Sequence, residues 1–152
     1  MQLRKPVELS HAEPKLVLAE RGINKGTVRD LLASAVQKYE DAKREANSGP
    51  TRLEAAYDTI LFCALAIFAA QGYRVKSLPG HHRIALEGLT AELRLSQAHF
   101  DEIAMLLEVR NSKYTGFVRV SDADLETSMQ LGRRVLDETE LWFRAKKPDF
   151  LK

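Results

Sequence analysis

The sequence predicts an all-α fold, an antiparallel up-down bundle of four long helices and one short one, and three observations carry that expectation. Apolar residues recur every three or four positions through five segments. The segments open at capping residues and close at Gly, Asn or Pro. Strand-like alternation is confined to Thr115-Gly116-Phe117-Val118-Arg119-Val120, too short to found a sheet.

Residues 1–27 read as an amino-terminal arm ahead of a bundle over 28–147. Ser10-His11-Ala12-Glu13 has the form of a capping box, and Pro14 suits a first turn, so a short helix is expected over about 12–20. Thr27 is the expected cap of the next helix, about 28–47. Its apolar stripe is Val28, Leu31, Leu32, Ala35, Tyr39 and Ala42, and Asn47-Ser48-Gly49-Pro50 ends it. Thr51-Arg52-Leu53-Glu54 forms a second capping box. The helix that follows, about 51–71, turns apolar on every side from Ile60 onward, so it must be surrounded and is the central element. Within it Ile60, Leu61, Ala64, Leu65 and Phe68 are expected to be almost wholly buried. A loop over 73–80 ends at Pro79-Gly80. A shorter helix spans about 81–93, with Gly88 as its weak point; Ser96 caps another, about 97–110. Ser121 with Asp124 starts the last, about 122–145, with a stripe of Leu125, Met129, Gly132, Leu136, Thr139 and Phe143.

A chain of 152 residues that is 45% hydrophobic and 29% charged has the composition of one globular domain. Its single cysteine, Cys63, lies in an apolar run and reads as a small buried hydrophobe, with a reducing compartment as the corollary. The amino terminus has no apolar stretch behind its charges, so no signal peptide is expected. The longest apolar run, Ile60 to Ala70, falls short of the roughly 20 residues of a membrane span. A cytoplasmic protein with no membrane attachment is the expectation.

In an up-down bundle alternate connections share an end, which puts 72–83 beside 109–120. The first stretch holds Arg74, Lys76 and Arg83 with His81 and His82; the second holds Arg110, Lys113 and Arg119; neither holds an acid. Their six fixed cations exceed the net charge of +2 for the whole chain, leaving −4 elsewhere. One basic end on a near-neutral protein is the footprint of a phosphate-bearing ligand or an acidic partner. A set of solvated loop charges is the plainer alternative.

Adjacent histidines on a helix point about 100° apart, so His81 and His82 do not share a metal, and no Cys or carboxylate cluster completes a shell. No metal or cofactor is expected. One imidazole should face the basic end while its neighbour packs or caps. No Gly-rich phosphate loop or serine-hydrolase elbow occurs.

Arg110-Asn111 at the end of the penultimate long helix, with Tyr57 to Leu65, Gln71-Gly72-Tyr73-Arg74, Pro79-Gly80-His81-His82-Arg83 and Arg110-Asn111-Ser112-Lys113-Tyr114, resembles the HEPN superfamily over about residues 28–145. The resemblance implies a homodimer with paired Arg-Asn sites at a shared cleft. It also implies toxin–antitoxin or defence settings, with an antitoxin or nucleotidyltransferase as partner. Ribonuclease members carry a His four to six residues after the Arg. Here positions 114 to 117 are Tyr114, Thr115, Gly116 and Phe117, and a phenol near pKa 10 is a poor base.

The expected function is therefore a module that binds RNA, a nucleotide or an acidic protein, leaning away from catalysis. The alternatives are a metal-independent RNA endonuclease with a rearranged site and a pure protein-interaction module. Arg110, Asn111, Tyr114 and His81 are the candidate catalytic residues. Arg74, Lys76, His82, Arg83, Lys113 and Arg119 are the candidate ligand contacts.

Overall fold

The computed structural model describes residues 2–20, 22–112 and 120–152. They form α1 (Pro6–Ala12), β1 (Val17–Ala19), α2 (Lys25–Lys43), α3 (Gly49–Ala70), β2 (Tyr73–Val75), α4 (His81–Glu92), α5 (Gln97–Ser112) and α6 (Asp122–Lys146), then a 3-10 turn over Pro148–Leu151. The fold is an all-α helical bundle, as the periodicity predicts. α3 is its axis and packs against α2, α4, α5 and α6. By length and composition α3 could cross a bilayer, but 72% of its most apolar window is buried inside the protein.

The core contains Tyr57, Ile60, Cys63, Ala64, Ile67 and Phe68 from α3, Leu86 and Leu89 from α4, Phe100 and Ile103 from α5, and Val135 and Phe143 from α6. Two expectations about packing need correction. Leu61 and Leu65 are only half-buried, because with Asp58 and Phe62 they form the one stripe of α3 that other helices leave partly open. The buried face of α6 is also rotated. It runs through Ser128, Leu131, Gly132, Val135, Thr139, Trp142 and Phe143, while Leu125, Met129 and Leu136 sit at its margin. Burial of Cys63 pushes its thiol up to about 12, so it packs as a neutral apolar group.

The amino-terminal segment departs most from expectation. The expected helix over about 12–20 is absent, and Ala12 is instead the last residue of α1. Pro6 fits the first turn of α1, and the Glu8 carboxylate accepts the Lys5 N–H at 3.0 Å, closing a capping box five residues upstream of the expected one. The helix ends before Pro14. Ser10 bonds back to the Val7 carbonyl at 2.6 Å. The chain then forms β1, which pairs antiparallel with β2 in the register Val17↔Val75, Leu18↔Arg74, Ala19↔Tyr73. The expected 73–80 loop therefore begins as a strand. Three-residue strands are too short to write a period of two into a sequence.

Helix starts also shift upstream of two expected caps. Asn24 caps α2 by accepting from Thr27 N at 2.9 Å, and Ser48 caps α3 by accepting from Thr51 N at 3.3 Å. Glu54 thus lies a turn inside α3, where its carboxylate is available for tertiary contacts.

α4 is held from outside by the amino-terminal segment. Glu87, buried at 5% exposure, takes Arg4 Nε at 2.7 Å, Arg4 Nη2 at 3.1 Å and the Arg4 backbone N–H at 2.9 Å. One residue on, Gly88 faces Phe68 and Leu9. A Cβ there would lie 2.3 Å from Phe68 Cζ and 3.2 Å from Leu9 Cδ1, so this glycine sets how close α4 comes to α3. Phe68→Ala should cost about 3–5 kcal/mol in urea unfolding followed by circular dichroism. Gly88→Ala should cost about 1–3 kcal/mol by overpacking. Because both changes act on one contact, the double variant should lose clearly less than the sum of the two. Additive losses would place the Gly88 constraint elsewhere.

Candidate nucleic-acid interface

The site is built where α4 begins and α5 ends, against the polar turn of α3. Gly80 caps α4 with φ +86°, a left-handed conformation that a Cβ disfavours. It offers no side-chain acceptor to the first turn, so the amino end of α4 remains an electropositive terminus. The Leu78 carbonyl accepts from His81 twice, from its backbone N–H at 3.0 Å and from Nδ1 at 2.7 Å. A carbonyl only accepts, so Nδ1 carries the hydrogen, and a neutral His81 keeps its lone pair on Nε2.

His82 turns the other way. Its Nδ1 lies 2.7 Å from the Tyr57 hydroxyl, and the two rings are parallel within 4°. The His81 and His82 rings meet edge-on at 4.4 Å. Both imidazoles line the cleft, and His82 is the one packed against the body. Burial first, then His81 and Arg110, lowers His82 to about 4. Burial likewise holds the Tyr57 phenol well above its ordinary range, against an opposing pull from Arg110. Both groups are neutral at neutral pH.

From the last turn of α5, the Arg110 guanidinium lies 5.7 Å from the Tyr57 ring centroid. Its Nε is 4.0 Å from Glu54, three residues before Tyr57 on α3. Arg110 also donates from Nη1 to Asn111 Oδ1 at 3.2 Å. Arg83 lies over the Phe100 ring at 5.3 Å with its side chain towards solvent.

These walls enclose an open cleft of about 560 Å³, lined by residues 77–83 from one side and Leu107, Glu108, Arg110 and Asn111 from the other. The structure thus brings together His81, His82, Arg83, Arg110 and Asn111 from two segments far apart in sequence. Arg74 and Lys76 do not line the cleft. Arg74 belongs to β2 and pairs with Glu20 at 3.4 Å, and Lys76 follows the strand, its N–H held by the Leu16 carbonyl at 2.7 Å. Lys113, Tyr114 and Arg119 lie outside the described residues. Among the described residues, no three His, Cys, Asp or Glu side chains gather into a metal site.

Three residues of the site escaped the sequence reading: Tyr57, Glu54 and Glu108. Tyr57 carried a usable signal, since a phenol on a helix bound for burial must find a partner for its hydroxyl. Glu54 was assigned to a cap that Ser48 makes instead. Glu108 brings a carboxylate into an otherwise cationic cleft, one residue outside the stretch that holds no acid. No family model matches the chain, and searches of curated proteins and of solved structures find no match.

A ring-proton NMR titration of His82 should give a midpoint near 4. Unfolded histidine titrates near 6.5, so between about 6.5 and 4 the unfolded chain binds more protons. The associated stability is complete above about 6.5 and is lost as pH falls towards 4. His82→Gln should flatten that limb of the pH–stability profile. A midpoint in the ordinary imidazole range would contradict the burial of this ring against Tyr57.

Proposed function

We propose that the protein binds RNA in the cleft between the amino end of α4 and the carboxyl end of α5. The observation that carries this is the convergence of Arg83, Arg110 and the open first turn of α4 on one concave site. Each attracts phosphate for a separate reason: an exposed surface cation, a guanidinium held against Tyr57 and a helix terminus. The cleft has the volume of a small-ligand site and suits one or two nucleotides of a flexible strand better than a rigid duplex. The resemblance of Arg110-Asn111 and its helical context to HEPN proteins supports the same reading, and with it a defence or toxin–antitoxin setting.

A second reading, an RNA endonuclease, is favoured by one contact. With Nδ1 held by Leu78, His81 presents Nε2 as a proton acceptor in the cleft that also holds Arg110. A 2′-hydroxyl giving its proton to Nε2 would attack the adjacent phosphorus, Arg110 would stabilise the phosphorane charge, and the P–O5′ bond would break as the 5′-oxygen takes a proton from water. Binding remains the leading function, because no histidine follows Arg110 at the spacing that ribonuclease members carry.

Single-stranded RNA should bind at low salt and weaken as salt rises from about 50 to 200 mM, by roughly sevenfold for two phosphate contacts. Arg83→Glu, at an exposed position, should weaken binding and shallow the salt slope by about one without changing helical content. Affinity indifferent to both salt and Arg83→Glu would remove the RNA reading. In EDTA, wild-type cleavage that Arg110→Ala abolishes would establish the nuclease; absence of Arg110-dependent cleavage would end it.

A further inference from the structure

Two adjacent histidines enter the cleft with opposite hydrogen-bond partners on the same ring atom. His81 Nδ1 faces a backbone carbonyl, and His82 Nδ1 faces a tyrosine hydroxyl. The carbonyl fixes His81 with hydrogen on Nδ1 and an accepting Nε2. The phenol fixes His82 the other way. Tyr57 is wholly buried, and among the described residues its hydroxyl has His82 Nδ1 as its one polar partner. Were the hydroxyl to accept from Nδ1–H, its own hydrogen would be buried with no acceptor, which costs about 1–3 kcal/mol. The hydroxyl therefore donates, and the neutral His82 ring carries its hydrogen on Nε2.

We propose that Tyr57 is a positioning residue that sets His82 in the tautomer opposite to His81, so that the cleft pairs a donor with an acceptor and selects ribose over deoxyribose. This rests on the RNA reading and names the sugar it takes. The chemistry is that of the 2′-hydroxyl, which donates and accepts and is what distinguishes RNA from DNA at a site. His81 Nε2 accepts the hydroxyl hydrogen, and His82 Nε2–H donates to the hydroxyl oxygen or to the neighbouring phosphate. Phosphate attraction is left to Arg83 and Arg110. Arg110 rests by the same tyrosine, with its guanidinium 5.7 Å from the ring centroid, so one α3 side chain meets both walls of the cleft.

The test begins without ligand. Long-range proton–nitrogen correlation spectra of the labelled protein at neutral pH should show hydrogen on Nδ1 of His81 and on Nε2 of His82. The same tautomer at both residues would overturn the proposal. RNA and DNA oligonucleotides of one sequence are then compared, with RNA expected to bind about tenfold more tightly, the worth of one or two neutral hydrogen bonds. Tyr57→Phe should shift the His82 nitrogen signals and lose most of that preference while salt-dependent binding of DNA persists. His82→Gln, which keeps an N–H near the Nε2 position, should retain the preference, and His82→Leu should lose it. Should Tyr57→Phe not fold, these two changes at a half-exposed position decide the matter. Equal, salt-dependent binding of RNA and DNA by the wild type would overturn the selectivity and leave the RNA reading standing. Binding of neither would overturn the RNA reading as well.

Discussion

A helix that is apolar around almost its whole circumference must be enclosed, and the rest of this fold follows from enclosing α3. Four helices pack on it, and the close approaches fall where side chains are smallest. Gly132 of α6 lies against the Ala56 backbone, and Gly88 of α4 admits the Phe68 ring. Enclosure leaves little room for polar groups on α3. The two that sit at its amino-terminal half and face α4 and α5, Glu54 and Tyr57, have to find partners there. Tyr57 takes His82, and Glu54 lies near Arg110. The cleft is therefore a by-product of satisfying a buried helix. The chemistry that makes the site is the chemistry that makes the core tolerable.

α4 carries this argument to the outside of the molecule. It is only twelve residues long, yet it buries two carboxylates, Glu87 and Glu92. Glu87 takes Arg4 from the amino-terminal segment. Glu92 accepts from Gln71 at 3.0 Å and from Trp142 Nε1 at 3.3 Å, with Lys146 Nζ 3.6 Å away. A buried ion pair is a poor source of net stability, because desolvation offsets most of the attraction. Leaving either carboxylate unpartnered is costly, however, so the pairs act as addresses. They allow α4 one rotation and one axial position, and His81 and His82 stand at the end of the helix so fixed.

The long helices were legible in the sequence because their apolar period is long enough to repeat several times, and α2, α3, α5 and α6 fall within a few residues of expectation. The amino-terminal segment was not. The Ser10–Glu13 pattern and the Lys5–Glu8 pattern compete as helix starts, and only tertiary contacts, Arg4 with Glu87 and Leu9 with Phe68, choose between them. The face of α6 was misread by a fraction of a turn, since Trp142 and Ser128 are polar-edged residues that burial near Glu92 and α3 makes acceptable. In the site, topology places 72–83 beside 109–120, and of those stretches 77–83 and Arg110-Asn111 line the cleft. Which nitrogen of His82 bears a hydrogen required Tyr57, a residue that helical periodicity places in the core.

The contact between Arg4 and Glu87 spans 83 residues of chain. A ribosome therefore delivers the amino-terminal segment long before the helix that receives it. Through that interval Leu9 and Val17, both buried in the finished protein, have no apolar surface of their own to join. Their neighbours in the fold, Phe68 and Val75, emerge 59 and 58 residues behind them respectively. The amino-terminal segment can dock only once α3, β2 and α4 are all present.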